Sequence, residues 1–345
     1  MSADLCYNDM IVWNNHRFVR EESNPTSPLR RAGGTEGGGS FPGTIKTEHN
    51  PQRSVDMQII TDSGTDMNLS PEQLAELQIH IVPLNVTLDG KTYREGIDIE
   101  PEEFYRLLAA TDSLPTTSQP SAGEFAEIYR GLAATDPDIL SVHMTSGLSG
   151  TYNSAVAGAE LVPEANIVHV DTKTLSAGAG WQVEAAARAL RAGWAMEPVL
   201  ALMQRISDAT ESMYTLKELK YLIHGGRISH MKGLIASVLN LKPLIGVEKV
   251  NGTYIQLGQA RSFNGAVKKL VDLISKQHAP GSALHVQVLH AFNLEGANQL
   301  RELIDQKFDC TWLPLRPMSL VLGAHTGPSM IGVGFAPQAI LAEIP

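Results

Sequence analysis

The sequence predicts an α/β protein of two units: a Rossmann-like N-terminal domain with a parallel sheet, then a smaller C-terminal α+β domain. A chain of 345 residues exceeds one typical hydrophobic core, which favours two domains. From Met57 onward, short apolar runs alternate with segments of helical periodicity, which is typical of parallel βαβ units. After about residue 210 the pattern becomes mixed, and Asn251-Gly252 predicts a hairpin turn.

The N-terminal segment differs from the rest of the chain. Residues 1–54 contain "NPTSPLRRAGGTEGGGSFPG", which has turn and polar residues in place of periodic apolar ones. Such a segment buries too little apolar surface to offset its ordering entropy, so it is predicted to be a disordered extension. A docking peptide around "MIVWNNHRF" is the alternative. The predicted domains are therefore 55–209 and 210–345.

The predicted elements of the first domain follow from local patterns. Ser70 before Pro71 predicts one helix start, and Ser121 with Glu124 forms a capping box at another. The predicted strands are "MQIITDS", "IHIVPLNVTL", "DILSVHM" and "NIVHVDT". The remaining predicted helices are "EPEEFYRLLAA", "GTYNSAVAGAELV", "SAGAGWQVEAAARALRAG" and "EPVLALMQRISDA".

The second domain begins with a predicted helix in "LKELKYLIHGGRIS", which Gly225-Gly226 ends. A hairpin, "KPLIGVEKVNGTYIQLGQAR", and the strand–helix pair "ALHVQVLHA" and "LEGANQLRELIDQKF" follow, and then "CTWLPLRP". The apolar run "SLVLG" is predicted to be a last buried strand that ends at His325 and Thr326.

Composition excludes several classes of protein. The 27 Lys and Arg residues against 37 Asp and Glu residues give a net charge of −10, which argues against a nucleic-acid partner. Two cysteines, Cys6 and Cys310, exclude a disulfide framework or a zinc ribbon and fit a reducing cytoplasm. No long apolar run or secretory signal is found, so a cytoplasmic location is expected.

Four polar clusters lie where predicted strands lead into helices: "TDSGTD" (61–66), "LPTTSQPSAGEF" (114–125), "TSGLSGTY" (145–152) and "HGGRIS" (224–229). Each could bind a ligand, and each could equally serve a turn or a helix cap. The third cluster suits a carboxylate or phosphate because a helix start carries unsatisfied N–H donors, but it lacks the pattern of a nucleotide-binding loop. Nucleophile-elbow, zinc-protease and dinucleotide motifs are absent from the sequence, which favours binding over turnover.

These clusters, in this order, resemble the DegV family, the fatty-acid-binding subunits of bacterial fatty acid kinase. The resemblance starts at about Met57 and includes "LKPLIGV…NGT" and "HTGPSM" beside the four clusters. It implies two α/β domains with a lipid tunnel between them. It also implies that the chain is not itself a catalyst and needs no cofactor. Such a protein holds a long-chain fatty acid and presents its carboxylate to a separate ATP-binding kinase subunit, which forms acyl phosphate.

The resemblance also implies the site residues. Thr117 and Ser149 should hydrogen-bond the carboxylate and His325 should complete the network, with Ser118 and Ser146 as close alternates. Two basic residues should lie near the site mouth or the kinase contact: Arg227 and Arg261. Transient contact with a membrane is a further expectation.

Two positions depart from the family pattern, and two other functions stay open. Ser329 replaces the last glycine of His-Thr-Gly-Pro-Gly; it adds strain if that position needs a positive φ and otherwise supplies a hydroxyl. Gln259 stands where a lysine is common. The alternatives are a lipid carrier or sensor without a kinase, and a small-substrate enzyme in which His325 acts as nucleophile or base.

Overall fold

The computed structural model describes residues 57–231 and 241–345, so the predicted extension over 1–54 lies outside the described residues. The helices in these two ranges are α1 Pro71–Glu76, α2 Pro101–Ala110, α3 Ala122–Ala133, α4 Thr151–Ala159, α5 Ser176–Arg191, α6 Met196–Ala209, α7 Lys220–His224, α8 Phe263–Gln277, α9 Leu294–Asp305, α10 Leu320–Thr326 and α11 Gln338–Leu341. None of them is long and apolar enough to cross a membrane.

The first sheet is parallel throughout, as the strand–helix alternation predicted. Its four strands, in the order β2-β1-β6-β7, are Ile79–Val82, Gln58–Asp62, Asp138–His143 and Asn166–Asp171. Successive side chains of a strand point to opposite faces. Ile60 therefore packs with Phe125 and Tyr129 of α3 on one face, while Ile59 packs in the core cluster that includes α5 on the other.

Both predicted helix caps of the first sheet region are present. The Ser70 hydroxyl accepts a hydrogen bond from the Gln73 amide, and the Gln73 side chain accepts one from the Ser70 amide. Ser121 and Glu124 form the same reciprocal pair at the start of α3. These caps depend on residues three apart, which is why sequence alone locates them.

The single strand predicted for "IHIVPLNVTL" is wrong, because the segment divides at Pro83-Leu84 into two strands of different sheets. β2 ends at Val82 in the parallel sheet, and β3, Asn85–Leu88, joins a small antiparallel sheet. Its partners there are β4, Lys91–Arg94, and β5, Thr116–Ser118. Proline lacks an N–H donor, so it favours such a break.

The second sheet is mixed and mainly antiparallel. Its strands are β8 Glu211–Thr215, β9 Lys242–Val247, β10 Tyr254–Ala260, β11 Ala283–His290, β12 Asp309–Trp312, β13 Arg316–Pro317 and β14 Ile331–Pro337. Their order is β10-β9-β8-β14-β11-β12, with β13 beside β11. The predicted hairpin over Asn251-Gly252 is present between β9 and β10. The domain boundary between residues 209 and 210 stays a prediction.

The predicted strand "SLVLG" is also wrong: these residues begin α10, Leu320–Thr326. All seven residues of α10 are buried, so its sequence shows no amphipathic period. A short, wholly apolar run is compatible with a buried strand or a buried helix, and periodicity cannot separate them. The strand expected here comes next, as β14.

Candidate functional site

The second predicted cluster and the "HTGPSM" segment meet through a hydrogen bond between Thr117 and His325. The Oγ1 atom of Thr117 lies 2.8 Å from the Nε2 atom of His325, across 208 residues of sequence. Thr117 belongs to β5 of the small sheet, and His325 belongs to the last turn of α10. The pair therefore joins the N-terminal part of the chain to its last buried helix.

His325 is a neutral imidazole in a tightly packed, buried position. Its side chain is buried, and its ring lies so close to Gly225 that a Cβ atom there would overlap Nδ1. Burial, with smaller contributions from the charges of Arg227 and His224, lowers the pKa of His325 to about 3. A neutral imidazole has one N–H donor and one acceptor nitrogen, and the buried Nδ1 has no hydrogen-bond partner among the described residues.

In the short strand β5, the Thr117 side chain points to the opposite face from its two neighbours. Thr117 is half-buried, while Thr116 and Ser118 on either side are exposed. Because side chains alternate across a strand, these two hydroxyls lie on the face opposite Thr117. Ser118, the predicted alternate, is thus not on the side that contacts His325.

The loop 145–150 holds Ser146 and Ser149, both half-buried, ahead of α4. The Ser149 hydroxyl lies 2.8 Å from Thr151 Oγ1 and accepts a hydrogen bond from the Thr151 amide. Ser146 is held instead through its backbone, whose N–H donates to the Asp171 carboxylate. Gly150 packs against the Gln119 side chain, which brings this loop against the segment after β5.

The backbone amides that the sequence suggested as anion donors are largely occupied. The amides of Ser146 and Thr151 donate to Asp171 and Ser149, as described above. Three more amides donate to the hydroxyl or the carbonyl oxygen of Thr145: those of Gly147, Leu148 and Ser149. These five N–H groups are therefore not available to a ligand. The donors left on this loop are chiefly its hydroxyls.

The hairpin turn of the second sheet docks onto the same loop, a contact that sequence reasoning missed. The Thr145 hydroxyl donates to the Gly252 carbonyl oxygen at 3.1 Å. A Cβ atom on Gly147 would overlap the Asn251 carbonyl oxygen, and one on Gly252, at φ +67°, would overlap Thr145 Oγ1. Glycine at both positions allows this approach. The Asn-Gly pair signals the turn but not what the turn contacts.

The two predicted basic residues have different surroundings. The Arg227 guanidinium donates to the carbonyl oxygens of Leu148 and Gly225, so it ties the 145–150 loop to the end of α7. Gly226 before it has φ +74°, the left-handed conformation that ends the helix as predicted. Arg261 is exposed after β10, the edge strand of the second sheet.

The first cluster has a structural role. The Asp62 carboxylate caps the turn at Gly64 and accepts from the Met144 amide, and it lies 3.0 Å from His143 Nδ1. The Ser63 hydroxyl accepts from the Leu84 amide and donates to Glu95. Ser329, the departure from the family pattern, is not among the residues with a positive φ, and its hydroxyl accepts from the Lys217 amide.

A largely apolar cavity, partly open to solvent, lies between the start of α5 and the second sheet. Thr326, the neighbour of His325, is part of its wall. Most of the other lining side chains are apolar: Leu175, Ala177, Met213, Val247, Leu289, Met318, Met330 and Val333. Methionine side chains are flexible, so Met318 and Met330 allow the cavity to adapt to its contents.

Comparison with known proteins places this geometry in a family. Residues 56–338 match the family model described as "Uncharacterised protein, DegV family". A DegV domain-containing protein from Deinococcus radiodurans is 32% identical over 281 residues, which cover 81% of this chain and 96% of that protein. Another DegV domain-containing protein, from Staphylococcus aureus, is 31% identical over 275 residues, which cover 80% of this chain and 96% of that protein.

Solved structures give the same result. A DegV family protein from Thermus thermophilus, described for its fatty acid binding, matches with a TM-score of 0.72 at 28% identity, covering 81% of this chain and 99% of that one. A stearic-acid-binding protein from Eubacterium ventriosum matches with a TM-score of 0.68 at 27% identity, covering 82% and 98%. Sequence motifs, fold and relatives agree, and the chain belongs to the DegV family.

Proposed function

We propose that this protein binds one long-chain fatty acid, with the carboxylate at Thr117, Ser149 and His325 and the acyl chain in the cavity beside Thr326. The observation that carries the proposal is the Thr117–His325 hydrogen bond next to an apolar cavity. Family members of known structure that bind fatty acids, among them those from Thermus thermophilus and Eubacterium ventriosum, support it.

The acyl chain supplies most of the binding energy. Burying one methylene gains about 0.8 kcal/mol, so a sixteen-carbon chain gains roughly 10 kcal/mol before ordering costs. The carboxylate must be hydrogen-bonded when it leaves water, because an unpaired buried charge costs several kcal/mol or more. Hydroxyl donors meet that need without a fixed positive charge.

The neutral state of His325 decides how Thr117 can act. If Nε2 carries the proton, it donates to Thr117 Oγ1, and the threonine hydroxyl is free to donate to a carboxylate oxygen. If Nε2 accepted from Thr117 instead, that hydroxyl would have no proton left for the ligand. The proposal therefore requires the tautomer protonated at Nε2, which leaves Nδ1, a nitrogen without a partner among the described residues, unprotonated.

We further propose that the bound carboxylate is presented to a separate ATP-binding kinase subunit in the cytoplasm. Phosphoryl transfer with Mg²⁺ and ATP would take place on that subunit, and hydroxyl donors would leave the carboxylate able to act as a nucleophile. Arg227, beside the 145–150 loop, and exposed Arg261 are the proposed basic contacts. Transient membrane contact would serve loading of the ligand.

The test is reconstitution with a fatty acid kinase subunit, ATP, Mg²⁺ and palmitate. We expect acyl phosphate only when both proteins are present, and loss of the product with the Thr117→Ala, Ser149→Ala double variant, which should stay folded. Palmitate binding without acyl phosphate formation would favour the carrier or sensor. Turnover of a small substrate without a partner would favour an enzyme that uses His325.

A further inference from the structure

Two carboxylates from the N-terminal part of the chain hold the start of α10, the helix that carries His325. Glu95 Oε1 accepts from the Leu320 amide at 2.6 Å, and Glu95 Oε2 accepts from the Ser319 hydroxyl at 2.8 Å. Asp66 Oδ1 accepts from the Ser319 amide at 2.7 Å. These contacts span 225, 224 and 253 residues of sequence.

These contacts replace the cap that α10 lacks. The first N–H groups of a helix have no partner within it, so side-chain oxygens that accept from them stabilise the start of the helix. Ser319 is the N-cap residue, but its side chain makes no capping bond within the helix. The two carboxylates supply the missing acceptors from outside, and we call Asp66 and Glu95 the carboxylate clamp.

The remaining contacts fix both the clamp and the helix. Glu95 Oε2 also accepts from the Ser63 hydroxyl, so Glu95 is itself anchored beside the first sheet. The buried Tyr105 hydroxyl donates to the carbonyl oxygens of Met318 and Ser319, and its ring lies against Gly323. The helix is thus held at its first turn and along one side.

The distance from the clamp to the site is short. His325 follows Leu320 by five residues, which is about 7.5 Å along a helix of 1.5 Å rise per residue. The Thr117–His325 bond of 2.8 Å would exceed hydrogen-bond range if the ring moved by about 1 Å. The site geometry therefore depends on where the start of α10 is held.

Asp66 also connects the clamp to the cavity wall. Its Oδ2 accepts from the Ser176 hydroxyl at 2.6 Å, and Ser176 lines the cavity at the start of α5. Ser176 has φ +56°, which is uncommon for a residue other than glycine. One carboxylate thus contacts both the wall of the proposed acyl-chain cavity and the helix of the proposed carboxylate site.

We propose that Asp66 and Glu95 are positioning residues, which set the place of His325 against Thr117 without touching the ligand. The expected effect on ligand binding rests on the proposed function. The effect on the position of His325 applies to the protein without ligand. Loss of the clamp should weaken recognition of the carboxylate more than burial of the acyl chain.

The first experiment compares hexadecanoic acid with hexadecanol as ligands for wild type, Asp66→Ala and Glu95→Ala. We expect the preference for the acid to fall about tenfold in each variant, while hexadecanol affinity changes less than twofold. Ser262→Ala is the matched control, because Ser262 caps α8 through the Gly265 amide and is not part of the site. It should lower thermal stability but leave the preference unchanged.

The second experiment needs no ligand. The ¹⁵N signals of the histidine rings, assigned with His325→Gln, report the tautomer and the Nε2 hydrogen bond of His325. We expect both clamp variants, and the milder Ser319→Ala if either fails to fold, to shift the His325 Nε2 signal towards that of Thr117→Val.

Unchanged His325 signals in folded clamp variants would overturn the proposal, whether or not the protein binds fatty acids. An acid preference equal to that of wild type would overturn its binding consequence. If wild-type protein binds neither ligand, the proposed function fails, and the ring signals alone decide whether the clamp positions His325.

Discussion

The Nε2 atom of His325 and the Oγ1 atom of Thr117 are 2.8 Å apart, in segments separated by 208 residues. A helix of the C-terminal part and a strand of the small antiparallel sheet thereby share one polar contact beside an apolar cavity. A fatty acid presents the complementary chemistry, one carboxylate on a long apolar chain.

Thr117→Val removes the hydroxyl and keeps the shape of the side chain. Hydrogen bonds to charged groups contribute about 1.5–3 kcal/mol, so palmitate affinity should fall between about tenfold and 150-fold by titration calorimetry. Thr116→Val is the matched control, because the Thr116 side chain is exposed on the other face of β5. Equal affinities for the two variants would remove Thr117 from the site.

His325→Gln should retain more palmitate affinity than His325→Ala. A glutamine amide can donate to Thr117 as the protonated Nε2 does, whereas alanine leaves the threonine hydroxyl without that donor. The two variants are compared by palmitate titration, with circular dichroism as the check on folding. Equal losses would show that His325 acts by its bulk, not by its N–H group.

Stability should depend on pH in opposite directions for His325 and Glu95. Burial raises the pKa of Glu95 to about 8 from 4.5, so its contribution is complete below about pH 4.5 and is lost as pH rises towards 8. The pKa of His325 falls from 6.5 to about 3, so its contribution is complete above 6.5 and is lost as pH falls towards 3.

Denaturant unfolding at pH 5, 6.5 and 8 tests this dependence. Glu95→Gln should reduce the loss of unfolding free energy between pH 5 and 8 relative to wild type. Asp66, whose pKa burial raises to about 7, should retain part of that slope in the variant. Identical pH dependence in both proteins would contradict the raised pKa of Glu95.

Gly252→Ala should separate the hairpin from the 145–150 loop. The added Cβ atom would overlap Thr145 Oγ1, in addition to the strain of φ +67°. Gly90→Ala is the matched control, since Gly90 has φ +78° and open space around its Cα atom. We expect Gly252→Ala to cost about 1–3 kcal/mol more unfolding free energy than Gly90→Ala. Equal costs would show that the turn does not depend on this contact.

The sequence predicted the parts of this structure that depend on near neighbours. The caps at Ser70 and Ser121, the hairpin at Asn251-Gly252 and the parallel sheet all follow from spacings of a few residues. The prediction was wrong for α10, because a fully buried apolar run carries no period. Residues named through the family resemblance, Thr117 and His325, do meet, while Ser118 faces the other way.

Other features of the site were beyond prediction because they join distant segments. Asp66 and Glu95 contact Ser319 across more than 200 residues, and no local pattern marks either carboxylate as a helix cap. The loop amides that seemed free in sequence are used by Thr145 and Asp171. Such contacts depend on tertiary packing, which neither local propensity nor motif spacing specifies.

Native mass spectrometry of the purified protein, with identification of the extracted lipid, is the most direct test of fatty acid binding. We expect one long-chain fatty acid per chain, and loss of that lipid on gentle activation in Thr117→Val before it is lost in Thr116→Val. A protein that stays empty after incubation with fatty acids, or that carries a phosphorylated sugar instead, would contradict this expectation.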